Sequence, residues 1–145
     1  MAEEKEIKLT SQQVEQMYAG ERQKLQELQE RMQAIQNAVM EAQGAIDSIK
    51  ALQENKQENI MVPLGAGNFI EAKPEELKKV KTSIGPNIII EKTPEETLKV
   101  LEKQIQDAKK QAESLSAETQ QTAQNIAGLE NIMREAAKKI AEQRR

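Results

Sequence analysis

Aromatic side chains are almost missing from this sequence: its 145 residues include one Phe, one Tyr and no Trp. Aromatics usually supply much of a core's buried area, roughly 150–250 Å² each, so any core here must be built from Leu, Ile, Val, Met and Ala. Cysteine is absent, which excludes disulfides and thiolate metal sites and fits a reducing compartment. Histidine is absent too, which removes the side chain whose ordinary pKa lies nearest neutrality. No run approaches the roughly 20 apolar residues of a membrane span. The opening MAEEKEIKLT is charged and lacks the apolar stretch of a secretory signal. A soluble, cytoplasmic protein with no membrane partner is expected.

Charge of one sign is not in excess either. Twenty-one Lys and Arg stand against 24 Asp and Glu, interleaved along the chain. A nucleic-acid binder would show a basic stripe, so nucleic acid is not an expected partner and the charges read as a solvated helix surface.

What remains falls into three parts: residues 1–53, 54–92 and 93–145. In the first, apolar positions recur as Val14, Tyr18, Leu25, Leu28, Met32, Ile35, Val39, Ala42, Ile46 and Ile49. From Leu25 onward the spacing alternates 3 and 4, a heptad with its seam at a and d. Thr10 or Ser11 can cap this helix. Glu21 falls at a d position, so pairing is expected to weaken toward the N-terminal end. The third part opens with Thr93-Pro94-Glu95-Glu96, a capping box with proline at the first helical position. Its seam runs through Leu98, Leu101, Ile105, Ala108, Ala112, Leu115, Thr119, Thr122, Ile126, Leu129, Met133, Ala136 and Ile140.

An a/d stripe this narrow needs a partner helix. The nearest one is the other flank of the same chain, folded back antiparallel so that facing residues have numbers summing to about 150. Both chain ends then meet at one tip. The middle part is different. Pro63, Pro74, Pro86, Gly65, Gly67 and Gly85 punctuate four β-branched runs, 60–64, 68–72, 80–84 and 87–91, which read as two hairpins. Isolated hairpins are marginal in water, and Ile88-Ile89-Ile90 is too apolar to stay exposed. The sheet is therefore expected to be completed by other subunits through Ile60, Val62, Leu64, Phe69, Ile70, Val80, Ile84, Ile88, Ile89 and Ile90, with Pro63 at an edge or bulge.

Gly65-Ala66-Gly67-Asn68 superficially suggests a phosphate loop. Such a loop needs a helix start behind it, and here a strand candidate follows, so it reads as a hairpin turn. Carboxylates are plentiful but lie on exposed helix faces with nothing to raise their pKa, and paired acids such as Glu95 and Glu96 suit a helix start. No catalytic site, cofactor or metal is expected, and the chain is not expected to be an enzyme.

Off-seam apolar residues are more telling. Met17 and Ile132 both fall at g and, by the pairing rule, lie near Val14, Tyr18, Met133 and Ile140, with Ile7 and Leu9 just beyond. One reading is ordinary core plus scattered surface residues. The other is a soft, Met-containing patch suited to weak, promiscuous binding of hydrophobic segments.

Helix, two hairpins, helix, with Val-Pro-Leu-Gly-Ala-Gly at positions 62–67 and Gly-Pro-Asn-Ile-Ile-Ile-Glu-Lys at 85–92, resembles the α class of the prefoldin family. The likeness spans nearly the whole chain and is most specific from Met61 to Pro94; β-class members have a single hairpin. The resemblance implies a mainly α fold: a long antiparallel coiled coil with two central β-hairpins that oligomerise into a β-barrel platform. It further implies a heterohexamer of two α-type and four β-type subunits with six arms around a cavity. Non-native polypeptides are then held at the arm tips without ATP and passed to a group II chaperonin. The Cys-free, charge-rich composition looks more like archaeal members than eukaryotic ones. Two rivals remain: a structural tether or adaptor with a β docking module, and a substrate-guiding arm of an enzyme, for which 145 residues leave no catalytic domain.

Overall fold

A computed structural model describes residues 9–54 and 58–145. Its elements are α1 (Ser11–Glu54), β1 (Ile60–Gly65), β2 (Asn68–Ala72), β3 (Val80–Gly85), β4 (Ile88–Lys92) and α2 (Pro94–Gln143). Both helices start on threonine boxes. Of the two candidate caps for α1 it is Thr10 that acts: its hydroxyl accepts from the Gln13 amide at 3.3 Å, and Gln13 Oε1 accepts from the Thr10 amide at 2.8 Å. At α2 the Glu96 amide donates to Thr93 Oγ1 at 3.2 Å and Glu96 Oε2 accepts from the Thr93 amide at 3.3 Å. These reciprocal bonds satisfy amides that the first helical turn leaves unpaired.

Two compact units divide the chain, and both helices contribute to each. In the unit formed by residues up to Ile35 with Gln111–Arg145, the buried residues are Val14, Leu28, Leu115, Thr122, Ile126 and Leu129. Early residues of α1 meet late residues of α2, as an antiparallel pair requires. Tyr18 Oη donates to Glu130 Oε1 at 3.1 Å, Asn125 Nδ2 donates to Glu21 Oε2 at 3.2 Å, and Lys24 pairs with Glu118 at 3.0 Å. The pairs sum to 148, 146 and 142 and so fall short of 150 by more as they lie farther from the start of α1. The d-position Glu21 is thus half-buried and bridged rather than left bare. Seam packing ends at Met133: Ala136 and Ile140, expected in the seam, are exposed. With Tyr18 opposite Glu130 and α1 starting at Ser11, the last turns of α2 face no described helix.

The second unit, Gln36–Lys110, buries Ile46, Ile49, Ile105 and Thr97, and Gln53 Nε2 donates to Glu95 Oε1 at 3.4 Å across the pair. Thr97 returns its hydroxyl hydrogen to the Thr93 carbonyl at 2.9 Å, so its burial leaves no donor unmade.

The hairpins are separate two-stranded antiparallel sheets, β1–β2 and β3–β4. In the first, Val62 pairs with Ile70 and Pro63 with Phe69, and the register shifts between Pro63 and Gly65. Leu64 is therefore the extra residue of a bulge beside Pro63, where proline's missing donor does least harm. The turn residues Ala66 and Gly67 both have positive φ, 49° and 77°, matching the right-handed twist of the strands they join. The second hairpin turns through Pro86 and Asn87, with φ of 60° at Asn87, and it bulges at Ile84. Proline followed by a left-handed residue is the type II pattern.

Candidate functional site

The free end of the first unit carries an open groove of about 260 Å³. Leu9, just before the Thr10 cap, forms one wall with Val14 of α1, while Ile132, Met133 and Ile140 of α2 form the other. Ser11 and Glu15 rim it on α1, and Ala136 and Ala137 give it a shallow floor. The groove lies where Leu9 and the first turns of α1 meet the last turns of α2. Ile132, at an off-seam position, is 49% exposed, and Ile140, a seam position past the start of α1, is 52% exposed, while Val14 is 5% exposed. A flexible thioether, branched aliphatics and small alanines open to water make up most of the lining. They can accept an apolar segment of unspecified shape.

Of the residues expected at a tip patch, the structure brings together Leu9, Val14, Ile132, Met133 and Ile140. Two are placed elsewhere. Met17 is exposed and does not line the groove, and Tyr18 is half-buried with its hydroxyl on Glu130. Ile7 lies outside the described residues. Sequence reasoning placed Ala136 in the seam and did not single out Ala137, so neither was named as lining the patch.

The hairpins present a second apolar surface. Ile60, Leu64, Phe69, Ile70, Ile84, Ile88 and Ile89 are exposed, as is Met61, while Val62, Val80 and Ile90 are half-buried. Every strand has one unpaired edge in its two-stranded sheet. Apolar side chains beside free backbone donors and acceptors are the features that invite strand addition. Beneath β3–β4, an open cleft of about 560 Å³ runs between Val80 and Thr82 on one side and Ile49, Val100 and Leu101 on the other. Among the described residues no group of His, Asp or Glu is arranged to hold a metal ion, and no helix is long and apolar enough to cross a membrane.

A family model described as prefoldin subunit matches residues 22–139. The chain is 35% identical over 101 residues to the prefoldin subunit alpha of Methanococcus aeolicus, covering 70% of this chain and 69% of that protein. It is 29% identical over 121 residues to the prefoldin subunit alpha of Methanococcus vannielii, covering 83% and 82%. Among solved structures, a chain of the filamentous PFD from Methanocaldococcus jannaschii, determined by cryo-EM, superposes with a TM-score of 0.62. The alignment covers 86% of this chain and 98% of that one at 23% identity, a likeness of fold.

Proposed function

This chain belongs to the prefoldin family of chaperone subunits, and on that premise we propose that it is an α-class subunit of a cytoplasmic, ATP-independent holding chaperone. Two such chains join four β-type subunits, their hairpins close into a β-barrel platform, and the helix ends hold non-native polypeptides until a group II chaperonin receives them.

The observation that carries this reading is the groove at the free end of the first unit, apolar and solvent-open, lined by Leu9, Val14, Ile132, Met133 and Ile140. Covering each exposed aliphatic side chain is worth about 1.5–3 kcal/mol at most, and the cost of association offsets much of that gain, so a single groove binds weakly. Several subunits engaging one client raise the effective concentration of each next contact, which gives useful retention from contacts weak enough to release. Assembly is supported by the exposed apolar residues on both hairpins.

The test uses the complex assembled with a β-type partner and two unrelated denatured clients. Changing Ile132, Met133 and Ile140 together to Ser is expected to leave the native mass unchanged and to reduce suppression of aggregation several-fold for both clients. Unchanged suppression in that variant, where a complex lacking the helix ends fails, removes the named patch. A wild-type complex that protects neither client is an adaptor and not a holdase.

A further inference from the structure

All the sulfur in this chain is thioether: it has six methionines and no cysteine. Among the described residues, Met133 is the only methionine that lines the groove at the free end of the first unit. It is half-buried, and the groove it borders is open to water. The other apolar lining residues, Leu9, Val14, Ile132 and Ile140 with two alanines, are saturated hydrocarbon and inert to mild oxidants. Met133 is therefore the one apolar side chain of the groove whose polarity can be changed chemically. Two other methionines give the comparison. Met40, 72% exposed, lies away from the groove, and Met61, 59% exposed, stands on β1 in the surface that the proposed assembly covers.

We propose that Met133 is a reversible oxidation site, at which a peroxide turns the groove from apolar to polar and weakens its hold on apolar segments. The proposal rests on the reading of that groove as the client site. A sulfur lone pair attacks one peroxide oxygen, and the O–O bond breaks as the S–O bond forms. The departing hydroxide takes up the proton that the new S–OH group sheds, leaving a sulfoxide and water. Sulfur loses two electrons and the peroxide gains them. An apolar segment that then covers Met133 strips water from an oxygen acceptor without offering it a donor, which opposes binding. Reversal needs two thiols of an external reductase, which become a disulfide while the sulfoxide oxygen leaves as water. The chain has no thiol of its own to perform that step. In the assembled complex Met61 is shielded and Met133 is not, so oxidation acts on holding and spares assembly.

The test treats the complex assembled with a β-type partner with hydrogen peroxide, removes the peroxide, and then adds an unoxidised denatured client. Peptide mass spectrometry is expected to find the added oxygen on Met40 first and then on Met133, with the native mass of the complex unchanged. Client affinity of the wild type is expected to fall several-fold, and to return after incubation with methionine sulfoxide reductases and a dithiol. Each variant is compared with its own untreated sample, so a changed starting affinity of Met133→Leu leaves the comparison intact. Met133→Leu is expected to keep its affinity through the treatment, and Met40→Leu to lose as much as the wild type. An equal fall in Met133→Leu and the wild type overturns the proposal. So does a Met133 that stays unmodified after Met40 is fully oxidised. If the untreated wild type holds no client, an apolar fluorescent dye takes the client's place. Dye binding lost on oxidation in the wild type but kept in Met133→Leu means that the holding role fails and the switch stands; no such difference ends both.

Discussion

Thr10 and Thr93 occupy equivalent places at the starts of two helices, and each exchanges a pair of bonds with the residue three positions on. The Thr93 box was readable from Thr-Pro-Glu-Glu alone, whereas the first helix offered two adjacent hydroxyls and only the observed bonds choose Thr10. Thr93→Ala is expected to cost about 1 kcal/mol, seen as a lower denaturation midpoint with helix content retained below it. Ala66 is the opposite case. It holds a left-handed backbone with φ of 49°, a conformation that costs a residue with a Cβ roughly 1–2 kcal/mol. Ala66→Gly is therefore expected to stabilise the first hairpin by up to about 1 kcal/mol, detectable as slower hydrogen exchange across β1 and β2. The same change at Asn87 should gain less, because asparagine tolerates that region.

At the scale of elements, periodicity located both helices to within a residue or two, because a 3-4 spacing of Leu, Ile and Val has one way to hide from water. Leu28, 3% exposed, and Met40, 72% exposed, show the discrimination this gives. Leu28→Ala is expected to cost about 2–5 kcal/mol, and Met40→Ala close to nothing, in chemical denaturation of the same assembly. Periodicity failed where burial depends on the partner's extent. Ile140 fits the heptad, but α1 begins too late to cover it. That misplacement is what makes a groove out of a predicted seam. Met17 was drawn to the site by its heptad letter, yet it does not line the groove. The hairpins were legible from their turn residues, and Pro63 pointed to an edge or bulge where Leu64 proves to be the extra residue, but the bulge at Ile84 was not legible, since there the extra residue follows from turn geometry rather than from composition.

At the scale of the whole molecule, eight large apolar residues stand exposed on the two hairpins. At about 1.5–3 kcal/mol for each one covered, their burial rivals the roughly 5–15 kcal/mol that stabilises an ordinary domain. Folding of the sheet and assembly are then one equilibrium, and stability rises with protein concentration. Ile89→Glu, at a 64% exposed site, is expected to leave helical circular dichroism nearly unchanged while shifting the native mass to smaller species. The scarcity of aromatics has a further use. The only tyrosine is Tyr18, its phenol held on a carboxylate oxygen of Glu130, and there is no tryptophan to mask it. Its ultraviolet emission, damped while the phenol donates to a carboxylate, makes the chain its own optical gauge. Titrated with a denatured client and partner subunits free of tyrosine and tryptophan, the unlabelled protein should brighten if binding draws the phenol off Glu130, and stay unchanged if it does not.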